Sequence, residues 1–221
     1  MVLDNYRSVL DVWLNPLAKA ARRIHPDVFT WLSLVAAVAG GVLFWRSDAT
    51  PNGLYVLLLA FVCVGLNSIL DMLDGKVAKM SGKASARGDF LDHAIDRASD
   101  VAILTGIAFS PWSHLGIGLF AISGTLLASY MGTQAQAVGL KRHYGGLLGR
   151  ADRMVLLLVV PVSEYFVRAL EWEQPWTQPL GQWQFLSLLD VMMAYFAVMG
   201  MATAVQRFVA ILGGLGKNPP A

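Results

Sequence analysis

Apolar residues fill long blocks of the chain, separated by short polar connections. The blocks cover about Val28–Trp45, Leu54–Leu70, Phe90–Phe109, Leu115–Tyr130, Met154–Leu170 and Leu186–Leu212. A bilayer core about 30 Å thick is crossed by roughly 20 predominantly apolar helical residues. The pattern therefore predicts an all-α, polytopic membrane protein with six transmembrane helices. The segment before them is patterned differently. Tyr6, Leu10, Trp13, Leu14, Leu17, Ala21 and Ile24 follow helical spacing, while Arg7, Asp11, Asn15, Lys19 and Arg22 fall elsewhere around the helix. This reads as an amphipathic helix lying in the membrane interface, bent at Pro16. Packing of the same helix on the domain is the alternative. The expected organisation is an amphipathic juxtamembrane helix over 1–25, a six-helix domain over 26–215 and a short tail over 216–221.

Composition agrees with a membrane protein. Of 221 residues, 56% are hydrophobic and 14% charged, whereas a soluble domain carries about 25% charged residues. The mean hydropathy of +0.53 excludes intrinsic disorder. The single cysteine, Cys63, excludes a disulfide scaffold. A net charge of +2 is too small to suggest a nucleic-acid partner. Residues 1–23 lack the uninterrupted apolar stretch of a secretory signal.

Basic residues set the expected orientation. Arg7, Lys19, Arg22 and Arg23 precede the first block, and Lys76, Lys79, Lys83 and Arg87 join the second to the third. Lys141, Arg142, Arg150 and Arg153 join the fourth to the fifth, and Arg207 and Lys217 end the chain. The opposite connections hold only Arg46 and Arg168, among acidic residues. The asymmetry puts both termini in the cytoplasm of a multi-pass cell-membrane protein. Trp172, Trp176 and Trp183 read as interface anchors on the outer side.

Candidate chemistry lies between the second and third blocks. Asp71 and Asp74 are three residues apart, and Asp92 and Asp96 are four apart. Each spacing keeps a pair on one helical face, and a short connection lets the two helices run antiparallel with those faces together. Four carboxylates at a membrane boundary need counter-charge, because intramembrane acids are costly and repel one another. Two divalent cations supply it, and all-oxygen donors suit Mg²⁺, Mn²⁺ or Ca²⁺. No histidine–cysteine set has zinc spacing; His25, His93, His114 and His143 are scattered. Asp89 and Asp100 read instead as partners of nearby basic residues. Gly75 and Gly88 leave room for a ligand to approach the backbone. An ion site in a cation channel or transporter is a remote alternative for the same acids.

These residues have a recognisable register. Asp71, Asp74, Gly75, Ala78, Lys79, Gly88, Asp92 and Asp96 closely resemble the CDP-alcohol phosphotransferase signature, D-x2-D-G-x2-A-R-x8-G-x3-D-x3-D, with every spacing kept. Lys79 stands where the family usually has arginine; it keeps the charge without the planar donor fork. The chain is most similar to the phosphatidylinositol phosphate synthase branch and its archaetidylinositol phosphate counterpart. Pro26–Thr30, Ser129–Tyr130, Gly145–Arg153 and Val205–Arg207 match stretches of that branch. Gly132 and Gln134 replace two basic positions common among its bacterial members.

The resemblance implies a membrane transferase for phospholipid biosynthesis. It would move a phosphatidyl or archaetidyl group from a CDP-lipid donor to the hydroxyl of a polar alcohol, with inositol phosphate first, and release CMP. Glycerol phosphate or another polar alcohol is the alternative acceptor. Asp71, Asp74, Asp92 and Asp96 would hold two Mg²⁺ or Mn²⁺ ions, with Asp96 also the general base. Asp27, Val28, Phe29, Thr30, Gly75, Ala78, Lys79, Ser85 and Gly88 would receive the CDP-lipid. Ser129, Arg150, Arg153 and Arg207 would bind the acceptor phosphate. The resemblance also implies a cytoplasmic active site, contact with membrane lipids and a homodimer.

Overall fold

A computed structural model describes residues 7–140, 145–171 and 186–217. All its elements are α-helices: α1 Arg7–Ala21, α2 Pro26–Arg46, α3 Pro51–Met80, α4 Ala86–Ala108, α5 Leu115–Ala137, α6 Arg150–Ala169 and α7 Leu188–Lys217. Local chemistry sets several starts. Pro26 and Pro51 occupy first-turn positions, where a missing N–H costs nothing. The Thr50 hydroxyl caps α3 by accepting from the Gly53 N–H at 3.1 Å. The Gly149 N–H donates to Asp152 Oδ2 at 3.0 Å, which starts α6 at Arg150.

Among the described residues, α2, α3, α5 and α7 are long and apolar enough to cross a membrane. The remaining two helices drawn from apolar blocks fall short of that standard. Helix α4 carries Asp89, Asp92, Asp96, Arg97 and Asp100, and α6 carries Arg150, Asp152, Arg153, Glu164 and Arg168. Both nonetheless pack within the bundle, α4 against α2 and α5, and α6 against α3 and α7.

Helix α1 docks on α3. Leu14 is buried, and Ala18 is buried with Phe29, Leu73 and Val77, whereas Leu17 and Ile24 stay exposed. The apolar positions of α1 therefore divide between domain packing and an open face. Pro16 lies inside the helix. Tyr6, the side chains of Leu10 and Trp13, Lys141, Arg142, and Trp172, Trp176 and Trp183 lie outside the described residues.

The main core gathers Phe44, Leu57, Val64, Leu104, Ile107, Leu148, Leu189, Met193 and Phe196. Glycines bring helix backbones into contact around it. A Cβ on Gly106 would lie 2.0 Å from the Gly41 carbonyl oxygen, so α2 and α4 touch main chain to main chain. Gly124 and Gly200 do the same between α5 and α7, where a Cβ on Gly200 would meet Gly124 at 2.8 Å. Beyond the C-terminal end of α4, buried Asp190 accepts from the Ser113 hydroxyl and the His114 N–H, both at 3.0 Å, and from the Leu186 N–H at 3.2 Å. That network ties the α4–α5 connection to α7. The aspartate motif lies at the other end of α4.

Candidate active site

Helix α3 continues unbroken through Asp71–Lys79 to Met80. A turn of five residues then reverses the chain, with Gly82 at φ +66°, a left-handed conformation suited to glycine. Ser85 caps α4 by accepting from the Gly88 N–H at 3.1 Å. The two aspartate pairs thus sit on consecutive helices, beside the turn that joins them, and both helices pack on α2.

The carboxylates converge. Asp71 lies close enough to Asp74, Asp92 and Asp96 to repel each of them through space. Asp74 and Asp96 are buried. Three side chains answer this charge, two of them from other parts of the chain. Thr30 of α2 donates its hydroxyl to Asp74 Oδ2 at 2.7 Å. Arg150, at the start of α6, donates Nη2 to Asp71 Oδ2 at 2.6 Å and also to Asp96 Oδ1. Arg97 lies 3.5 Å from the other Asp96 oxygen. One guanidinium thus links the acids of α3 and α4.

The basic side extends this network. Arg97 Nη1 reaches Asp100 Oδ2 at 3.3 Å and donates to the Ser129 hydroxyl. Arg153, also buried, donates to Asp100 Oδ2 at 3.0 Å, and its Nε has no hydrogen-bond partner. Arg207 donates to the Gly145 and Ala128 carbonyls at 2.8 and 2.5 Å, joining α7 to α5 and to the segment before α6. Thr203 receives the Leu147 and Leu148 N–H groups at 3.1 and 3.0 Å, which holds that segment in place.

The donor set fits a divalent cation. Four carboxylates provide hard oxygen ligands, and one donor atom each from Asp92, His93 and Asp96 lies within 4.8 Å of the others. Charge balance gives the same answer, since Arg150 and Arg97 beside four aspartates leave negative charge in excess.

The residues expected to receive the donor are spread around this centre. Thr30 reaches the aspartates directly, whereas Phe29 is buried beside Leu73 and Val77 and Val28 is exposed. Asp27 lies 3.4 Å from Arg87. Gly75 and Lys79 are exposed, Ala78 is half-buried, and a Cβ on Gly75 would meet nothing within 4 Å. Ser85 and Gly88 engage each other at the α4 cap. Of the residues expected to bind the acceptor phosphate, Arg150 joins the aspartates, Arg153 and Ser129 join the network next to them, and Arg207 braces backbone. Asp100 pairs with Arg97, a basic neighbour on its own helix, and with Arg153, whereas Asp89 lies 3.6 Å from His93. Arg97 is one of the basic residues near the aspartates and His93 one of the scattered histidines; the structure sets them beside Asp96 and Asp92.

Acids from α3 and α4 and arginines from α4 and α6 thus form one charged cluster among apolar helices. Comparison with known proteins identifies the class of protein. The sequence profile of the CDP-alcohol phosphatidyltransferase family matches residues 23–206, and the chain belongs to that family. It is a multi-pass membrane enzyme. The chain is 28% identical over 218 residues to a phosphatidylinositol phosphate synthase of Cutibacterium acnes, covering 95% of this chain and 97% of the relative. It is 24% identical over 210 residues to an archaetidylinositol phosphate synthase of Methanothermobacter thermautotrophicus, covering 95% and 94%. Its fold is similar to that of the phosphatidylinositol phosphate synthase of Mycobacterium tuberculosis at 26% identity. The crystal structure of that enzyme with CDP-DAG bound gives a TM-score of 0.68 and covers 90% of this chain and 92% of the other. Its complex with manganese and citrate gives 0.69, with 90% and 88% coverage.

Proposed function

We propose that the protein transfers a phosphatidyl or archaetidyl group from a CDP-lipid to a hydroxyl of inositol phosphate, releasing CMP. The observation that carries this reading is the meeting of Asp71 and Asp96 on Arg150. It joins the motif of α3 and α4 to a phosphate-binding type of side chain on α6. The relatives named above point to the same donor and acceptor.

Asp71, Asp74, Asp92 and Asp96 are the residues that would hold the two Mg²⁺ or Mn²⁺ ions. When bound, such ions neutralise the diphosphate and stabilise charge on the departing CMP. The remaining chemistry belongs to the chain's own side chains. Asp96 takes the proton from the acceptor hydroxyl as general base. The freed oxygen attacks the lipid-side phosphorus, a new phosphodiester bond forms, and the bond to the CMP phosphate breaks. Thr30 orients Asp74. Asp27, Val28, Phe29, Gly75, Ala78, Lys79, Ser85 and Gly88 surround the nucleotide and its lipid. Arg150, Arg153 and Arg207, with Ser129, receive the acceptor phosphate, for which the arginine fork is suited.

In the membrane, α2 to α7 form six crossings and α1 lies at the interface. The motif end and both termini face the cytoplasm, by the distribution of Lys and Arg. Residues 26–215 form the catalytic domain, and the active unit is a homodimer.

The test uses the full chain in detergent or nanodiscs with CDP-diacylglycerol, Mn²⁺ or Mg²⁺ and inositol phosphate. The expected products are CMP and a lipid of the mass of phosphatidylinositol phosphate. Turnover with glycerol phosphate or serine, and none with inositol phosphate, overturns the acceptor assignment.

A further inference from the structure

The basic side of the cluster centres on one carboxylate oxygen. Asp100 Oδ2 lies 3.3 Å from Arg97 Nη1 and accepts from Arg153 Nη2 at 3.0 Å. Arg97 and Asp100 are three residues apart on α4, so their side chains leave one face of that helix, whereas Arg153 comes from α6. One acid therefore holds two guanidiniums from different helices side by side. Arg150 is close enough to Asp100 and Arg153 to act on both through space. Asp100 does not saturate the pair. The Arg153 side chain is only 5% exposed, yet its Nε has no hydrogen-bond partner among the described residues. A charged donor buried without an acceptor is costly, and such a group marks a place where a ligand supplies the acceptor.

Arg97 also reaches toward two other functional residues. Its Nη1 donates to the Ser129 hydroxyl of α5, and its Nη2 lies 3.5 Å from Asp96 Oδ2. Side-chain exposure falls from 28% at Arg97 through 16% at Asp100 to 5% at Arg153, so the pair opens at Arg97. A phosphate monoester suits this arrangement. Its oxygens can accept from both guanidiniums at once, and its charge supplies what one carboxylate between two arginines lacks.

We propose that Arg97 is a further binding residue for the acceptor phosphate, and that Asp100 is the positioning residue that holds Arg97 and Arg153 to one phosphate group. The inference rests on the reading of inositol phosphate as the acceptor. Because Arg97 lies beside Asp96, a phosphate held there keeps the acceptor next to the proposed base.

The test uses the full chain in detergent with Mn²⁺, CDP-diacylglycerol and inositol phosphate, and measures KM for each substrate separately. Arg97→Gln loses a charge-assisted bond to the phosphate, so KM for inositol phosphate should rise about tenfold while KM for CDP-diacylglycerol moves less than about twofold. Arg97→Lys keeps the charge without the fork, and the rise should be about threefold. Asp100→Asn should raise the same KM about fivefold, and Asp100→Glu, which keeps the charge, by about twofold. Competitive inhibition by inorganic phosphate should weaken in the same order. A merely structural role would lower the folded fraction, and with it the apparent kcat, without separating the two KM values. An unchanged KM for inositol phosphate in both Arg97 variants, or an equal rise of both KM values, overturns the inference. The wild-type KM in both Asp100 variants overturns the positioning role. Turnover of another alcohol by the wild type, with none of inositol phosphate, overturns the acceptor reading together with this one.

Discussion

The site works, at the scale of single residues, by matching each buried acid with a donor from elsewhere in the chain. Asp74 has Thr30, and Asp96 has Arg150 and Arg97. Removing a donor leaves a buried acceptor unpaired, which costs about 1–3 kcal/mol. Thr30→Val is therefore expected to lower stability by about 2 kcal/mol, with most of the loss restored in Thr30→Ser, as thermal unfolding in EDTA would report. Asp96→Asn removes the proposed base while three acids remain. Turnover should fall by about a thousandfold, and CDP-lipid binding, followed by isothermal titration, should survive. At this scale the aspartates were legible because their spacing is local and helical. The role of Thr30 was half legible: its segment resembles the family's, but its bond to Asp74 spans 44 residues of sequence.

Helices depend on close approach more than on any one polar contact. Within a bilayer little hydrophobic force draws helices together, so packing and hydrogen bonding must do so. The contact of Gly41 with Gly106 is the clearest instance. Any side chain at 106 meets main chain, which cannot swing aside. Gly106→Ala should separate α2 from α4 and cost about 1–3 kcal/mol, read as a lower melting temperature of the purified protein. Since Thr30 lies on α2 and Asp96 on α4, the same change should also weaken Mn²⁺ binding. Apolar runs located the helices well. They did not reveal that α3 continues through the motif to Met80, because Asp71, Asp74, Lys76 and Lys79 interrupt its hydropathy while its backbone hydrogen bonds continue. Nor did they separate the strongly apolar α2, α3, α5 and α7 from α4 and α6, whose charges are offset by pairing with one another.

The whole molecule is organised with chemistry at one end of α4 and a structural polar network beyond the other. Asp190 accepts three hydrogen bonds there and pairs with His114 at 2.5 Å. Asp190→Ala strands those donors. A loss of about 3 kcal/mol is expected in thermal unfolding, while turnover per folded molecule remains that of the wild type. Cation removal acts at the opposite end. EDTA should stop CMP release and lower the melting temperature, because a ligand present at a hundredfold its dissociation constant stabilises by about 2.7 kcal/mol. The protein should nevertheless remain folded, since Arg150 still bridges Asp71 and Asp96, and added Mn²⁺ should restore both readouts.

Hydrophobic blocks and helical spacing specify an all-helical membrane protein with two facing pairs of acids, because both signals arise within a few turns of chain. They leave open which distant side chains meet those acids. Arg150 stands 79 residues from Asp71, and its bridge to Asp71 and Asp96 exists only once α3, α4 and α6 have packed. Arg153 likewise meets Asp100 across 53 residues, and Arg207 meets the Ala128 carbonyl across 79. Periodicity can face a carboxylate inward, but its counter-charge comes from whichever helix the fold lays beside it.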